Sequence, residues 1–143
     1  MSTNTKRGLI AGSFDIIHPG YIEMFEDAKN NACNYLIIAL QSDPTIERPE
    51  KCKPVQTAGE REYILKSIRY IDEVIHYNTE KELLAIIKKI EYNVRVIGSD
   101  YRNVEFTGSD HEKEIYYHER NHPYSLTDLK NKITKQMLAQ NKD

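Results

Sequence analysis

Cysteine is scarce in this chain: Cys33 and Cys52 are the only two among 143 residues, and they have neither CxxC nor metal-ligand spacing. That excludes a disulfide scaffold or a zinc module and implies free thiols in a reducing compartment. Long apolar runs are missing too. The opening MSTNTKRG has no apolar signal core, and no segment approaches the roughly 20 apolar residues of a membrane span. Neither sign of charge is in excess: 20 Lys and Arg oppose 22 Asp and Glu, for a net charge of −2. Nucleic acid and membrane are therefore excluded as partners held by overall charge, and any anionic ligand must be bound by cations gathered locally. Repeats, low-complexity tracts and linkers are also absent. The expectation is a single cytoplasmic domain over residues 1–143, large enough for a substantial core and too small for two.

What the chain does have is alternation. Short apolar runs at Arg7–Ala11, Tyr35–Leu40, Glu73–Tyr77, Val94–Gly98 and Glu114–His118 read as strands. Between them lie helical patterns with recognisable starts. Thr57-Ala-Gly-Glu60 and Thr79-Glu-Lys-Glu82 read as capping boxes, and Ser125-Leu-Thr-Asp128 as a weaker relative. The first helix carries an apolar stripe of Tyr21, Met24, Phe25, Ala28 and Ala32; the last carries Leu126, Leu129, Ile133 and Met137. Strand and helix in turn predict an α/β fold, a Rossmann-like doubly wound five-stranded parallel sheet with helices on both faces. Such sheets bind ligands beyond the carboxyl ends of their strands, near the point where strand order reverses. Loops 12–20, 41–57, 98–110 and 119–125 are therefore the ones to inspect.

The first of these loops begins GSFDIIHPGY, residues 12–21. Gly12 permits a sharp turn and close approach of a ligand. Pro19 suits the first position of a helix, and the free N–H groups behind it face an anion. The pattern is not G-x-G-x-x-G, so a dinucleotide fold is not indicated. His18 alone would be a histidine on an ordinary βα turn. Taken together, Ser13, Asp15, His18 and Gly20 resemble the G-[ST]-F-D-x-x-H-x-G-H signature of the cytidylyltransferase-like nucleotidyltransferases. The small bacterial glycerol-3-phosphate cytidylyltransferases are nearest in length and layout. The resemblance runs over nearly the whole chain, roughly residues 7 to 135. RYIDEVI, residues 69–75, is similar to the family's approach to its third strand, and VIGSDY, residues 96–101, to its G-x-D-[YW] strand end. The family's R-T-x-G-x-S-T-T-x-x-K frame appears near the C-terminus, with Arg120, Ser125, Thr127 and Lys130 matching and the middle diverged. Position 21 departs as well, because Tyr21 stands where the family has a second histidine.

The resemblance implies transfer of CMP from CTP to a small phosphorylated alcohol or sugar, with release of pyrophosphate. Mg²⁺ would accompany the triphosphate, and the protein would be a homodimer. An adenylyltransferase acting on FMN or a heptose phosphate is the alternative, since HPG and GSDY occur there too. A nucleotide-binding domain without turnover is the third reading. Nucleotidyl transfer leaves little covalent work to the protein, so alignment and charge stabilisation carry the rate. By resemblance, His18 donates to phosphate oxygens in a loop shaped by Gly12, Ser13, Phe14 and Gly20, and an adjacent polyanion favours its protonated form. Arg120 is a permanently charged clamp, and Ser125, Leu126 and Thr127 offer donors at a helix start. Lys51 and Lys53 resemble the paired lysines that hold the phosphates of CTP and of the acceptor. Arg61 and Arg69 fall where the family is also basic, and Arg61 joins Lys53 as an expected acceptor contact. Asp100 would orient the nucleotide or a hydrated Mg²⁺. Tyr21 either offers a neutral O–H to phosphate or packs with Met24 and Phe25. His76, His111, His118 and His122 show no ligand spacing and read as surface or strand residues, although His122 lies inside the phosphate-binding loop.

Overall fold

Five strands, β1 (Arg7–Gly12), β2 (Tyr35–Gln41), β3 (Glu73–Tyr77), β4 (Val94–Gly98) and β5 (Ile115–His118), form one sheet in the order β3-β2-β1-β4-β5 in the computed structural model. The structure describes residues 4–111 and 114–141. Every neighbouring pair is parallel, with Leu9 beside Ile37 and Ile10 beside Ile38 in the central register. β1 and β2 run one residue further than the apolar pattern suggests, and β5 begins at Ile115 instead of Glu114. Strand order reverses between β1 and β4.

A parallel sheet is covered on both faces, so its central strands are apolar on both sides. β2 shows this directly: Leu36, Ile37, Ile38, Ala39 and Leu40 are all buried. On one face Phe25 of α1 (Pro19–Asp27), Ala28 and Ala32 of the π-turn that continues it, and Leu65 of α2 (Ala58–Lys66) pack on Ile10, Ile38, Leu40 and Val96. On the other, Leu83 and Ile87 of α3 (Glu80–Lys89) cover Leu9, Ile37, Ala39 and Tyr77. Each buried Leu, Ile, Val or Phe among them contributes about 1.5–3 kcal/mol, and each alanine methyl less. Both cysteines are free thiols, Cys33 buried and Cys52 exposed.

The helix starts follow their caps. Thr57 forms a complete capping box with Glu60. Thr79 accepts from Glu82 N–H at 3.1 Å, but the Glu82 carboxylate takes the N–H of Asn78, so that box is displaced by one residue. Ser125 caps α4 (Leu126–Gln140) through Asp128 N–H at 3.0 Å. The stripe expected on α4 is engaged only at its start: Leu126 and Leu129 are half-buried, while Ile133 and Met137 are 44% and 54% exposed. Among the described residues, no helix is long and apolar enough to cross a membrane.

Candidate active site at the sheet switch point

The loops that leave the carboxyl ends of the strands enclose a cavity of about 910 Å³. His18 reaches it from the β1–α1 loop, Arg120 from the segment after β5, and Ser125 from the start of α4. Gly12, Ser13, Phe14, Gly20 and Tyr21 line the same space, as do Lys51, Asp100, Leu126 and Thr127.

The β1–α1 loop is held in an uncommon shape. Phe14 and Ile16 have φ of 49° and 51°, in the left-handed region. For a β-branched residue such as Ile16 this is strained, by about 1–3 kcal/mol, and persists only where neighbours over-determine it. The neighbours are in the β2–α2 loop. Asp15, 2% exposed, accepts from Val55 N–H at 2.8 Å and Gln56 N–H at 3.0 Å, and Gln56 Oε1 in return accepts from Ile16 N–H at 3.1 Å. Lys130 of α4 adds an ion pair to Asp15 at 3.4 Å. Asp15 is thus a lacing residue that binds three segments of the rim together.

Arg61 corrects an expectation. It does not reach the cavity as an acceptor contact. The side chain is buried and donates to Gln56 O at 3.1 Å, to Ser13 O and Gln41 O at 2.7 Å each, and to Ser42 O at 2.5 Å. Its donors are spent on the carbonyls where the first two loops leave the sheet. Burial pulls its pKa down from the ordinary value, with Asp15 and Asp43 opposing. Lys51 and Lys53 are both exposed; Lys51 borders the cavity, whereas Lys53 does not line it and its charge falls near Asp43.

His18 is the N-cap of α1, directly before Pro19. Gly20 N–H donates to its Nδ1 at 3.0 Å, so the neutral ring carries its proton on Nε2. Burial first, then His122 and Arg120, push its pKa below the ordinary 6.5. Near neutral pH the free protein therefore favours the neutral His18 donor, and a bound polyanion would favour the protonated form. Tyr21 stacks on the His18 ring with centroids 4.3 Å apart and meets Phe14 edge-on at 5.6 Å. Its ring belongs to the packing layer while one side still borders the cavity. Burial and Asp15 hold its pKa above the ordinary 10.0, which leaves a neutral phenol.

Unlike Arg120, several cavity residues carry no catalytic or binding role in the sequence reading. Arg120 itself is steadied by donating to Tyr124 O. His118, read as a surface or strand residue, is buried at the end of β5. Its Nδ1 meets Asp27 at 2.7 Å, Tyr116 O–H donates to the same carboxylate at 2.8 Å, and its Nε2 has no hydrogen-bond partner. Across the switch point Arg95 is 4% exposed, donates to Thr107 O at 2.9 Å, and places its guanidinium 5.1 Å from the Phe106 ring centroid. Glu80 nearby accepts from Thr107 O–H at 2.7 Å and pairs with Arg48 at 3.6 Å. One signal could have flagged this corner: an arginine inside VRVIG, a parallel strand that should be apolar on both sides. Among the described residues no three His, Cys, Asp or Glu side chains gather to cage a metal. A magnesium ion that keeps its waters and is bound largely through phosphates, with Asp100 at the cavity wall, fits this arrangement.

Residues 9–135 match the Cytidylyltransferase-like family. Bifunctional protein HldE of Gluconacetobacter diazotrophicus is 36% identical over 106 residues, which are 72% of this chain and 21% of that protein. Bifunctional protein HldE of Wolinella succinogenes is 34% identical over 106 residues, covering 73% and 22%. The chain thus spans about a fifth of the length of the curated relatives it matches. Among solved structures, the lipopolysaccharide core biosynthesis protein from Thermoplasma volcanium GSS1 has a TM-score of 0.59 at 17% identity over 92% of this chain and 88% of that one, a likeness of fold.

Proposed function

The chain belongs to the cytidylyltransferase-like family of nucleotidyltransferases, and from that premise we propose that it moves a nucleotidyl group from a nucleoside triphosphate to the phosphate of a small sugar, releasing pyrophosphate. The observation that carries this reading is the meeting of His18, Arg120 and Ser125 on one cavity at the switch point. Sequence alone puts CTP and a glycerol-3-phosphate-like acceptor first. The similarity to HldE proteins favours the alternative, ATP with a phosphate of heptose type. CMP transfer is the second reading, favoured by the GSFDIIHPG loop and by the matches at Arg120, Ser125, Thr127 and Lys130.

In either case an acceptor phosphate oxygen attacks the α-phosphorus, and the bond to the bridging oxygen breaks with its electron pair leaving on pyrophosphate. His18 Nε2–H and the Arg120 guanidinium donate to oxygens whose charge grows along that path. The starts of α1 and α4 add the fixed positive ends of their helix dipoles. Lys51 neutralises the triphosphate from the second loop, and bound Mg²⁺ would screen its remaining charge. A single cytoplasmic nucleotidyltransferase domain, acting as a homodimer, completes the proposal on family resemblance.

The test is pyrophosphate release with Mg²⁺, pairing ATP or CTP with sugar phosphates and polyol phosphates. Turnover of ATP with a heptose-type phosphate is the expected result. Turnover with CTP alone would restore the cytidylyl reading. Nucleotide binding without pyrophosphate from any pair would leave a binding domain that has lost catalysis.

A further inference from the structure

Two imidazoles meet over Gly20. A Cβ placed on Gly20 would lie 2.5 Å from Cε1 and 2.9 Å from Nε2 of His122, and 2.8 Å from Cε1 of His18. The rings come from segments far apart in sequence, yet both have their Nδ1 capped in the same manner. Gly20 N–H donates to Nδ1 of His18 at 3.0 Å, and Tyr124 N–H donates to Nδ1 of His122 at 3.2 Å. An imidazole that accepts at Nδ1 keeps its proton on Nε2 when neutral. Each ring therefore presents an Nε2–H donor.

The donor on His122 is not consumed elsewhere. Glu23 Oε2 lies 3.9 Å from Nε2, beyond hydrogen-bond distance. The side chain is 10% exposed and borders the same cavity as His18. Tyr124 packs on both rings, with centroids 6.2 Å from His18 and 5.4 Å from His122, and holds the pair in register. Beneath them is the start of α1, with the partial positive charge of its helix dipole. A cap for Tyr124 N–H requires only a small acceptor. A ring laid across Gly20, which leaves no room for a side chain there, brings a second donor to the anion-binding end of the helix.

We propose that His122 is a second phosphate ligand, its Nε2–H donating beside that of His18 to the oxygens of a bound polyphosphate. Polyphosphate binding stands on this geometry alone; the kinetic consequence rests on the transferase reading. It also accounts for position 21. The Tyr21 ring packs on His18, and the C-terminal loop delivers the second imidazole from outside the first helix.

The decisive measurement uses the full chain labelled with ¹⁵N-histidine and titrated with inorganic tripolyphosphate. The Nε2 resonances of His18 and His122 should move together, while that of His76, paired with Glu62 on another part of the sheet, stays in place. His122→Asn keeps an acceptor for Tyr124 N–H but lacks Nε2, so it should weaken tripolyphosphate binding and lower kcat/KM by roughly 10²-fold. His122→Gln reaches further and should lose less, and Tyr21→His in the His122→Asn background should recover part of the loss. Unmoved His122 resonances would overturn the proposal. So would an Asn variant that matches wild type while His122→Ala is impaired, since His122 would then be only a loop cap. Should wild type turn over no nucleotide, the transferase reading fails, and the tripolyphosphate titration still decides the role of His122.

Discussion

Replacing Arg61 by methionine separates a structural cation from a substrate contact. The wild-type guanidinium donates four hydrogen bonds to the carbonyls of Ser13, Gln41, Ser42 and Gln56, at 2.5–3.1 Å. Hydrogen bonds from a charged donor contribute about 1.5–3 kcal/mol each, and a lost partner leaves its carbonyl buried without one. The four are not independent, because they share one side chain and one loop junction. Removing one member of a buried charged network typically costs about 3–5 kcal/mol, and Asp15 would lose a nearby counter-charge as well. That is a large part of the roughly 5–15 kcal/mol that holds a domain folded. With a urea slope of about 1–3 kcal/mol/M, the unfolding midpoint should fall by about 2 M. Arg61→Lys should recover only part of this, since one ammonium cannot span four carbonyls. Urea unfolding followed by circular dichroism, beside acceptor KM, is the assay. A midpoint shifted by less than roughly 0.3 M together with a raised acceptor KM would refute the reasoning and return Arg61 to the substrate.

Gly20→Ala should act in the opposite sense: alanine favours a helix by up to about 1 kcal/mol, but its Cβ would displace both His122 and His18. Turnover should drop by about 10²-fold, as for a misplacement near 1 Å, with Tm little changed; wild-type kcat would show that the rings yield freely. His18 predicts linked protonation. Its pKa is depressed in the free protein by burial, His122 and Arg120, and a bound polyphosphate raises it. Binding should therefore take up protons between those two pKa values, and affinity should weaken as pH rises through that window. Calorimetry in buffers of different ionisation enthalpy should detect the uptake and find it reduced in His18→Asn. Asp27 concerns stability. Burial alone would raise its pKa, but hydrogen bonds from His118, Asn31 and Tyr116 hold it below the ordinary 3.8. Its contribution is present above that value and lost as pH falls through the folded pKa. The stability gap between wild type and Asp27→Asn, read from urea midpoints, should be widest near neutrality and narrow below pH 3.8; a gap independent of pH would contradict the assignment.

Much of this protein is written locally. β3 and β4 end where their apolar runs end, and the caps at Thr57, Thr79 and Ser125 start α2, α3 and α4. These features are set by neighbours three or four residues away, which is why composition and period reveal them. The loop GSFDIIHPGY reads as a candidate anion site for a similar reason, since its turn, proline and helix start are contiguous. Arg61 shows the limit. On a helix surface it looks like any basic residue, and only the packing of α2 under two loop ends turns it inward. The lacing of Asp15 to Val55 and Gln56, the pairing of His118 with Asp27, and the seating of His122 on Gly20 are likewise contacts between distant segments.

By itself, then, the order of residues determined the alternating elements, the sheet that follows from them, and the loop proposed to receive phosphate. Which cations face the cavity and which are spent on carbonyls was decided only when strands β1, β2, β4 and β5 brought their following loops to one rim. The physical reason is that helix and strand periodicity are short-range properties of the backbone. Burial, pKa and hydrogen-bond partners depend on whatever the completed fold sets beside each group.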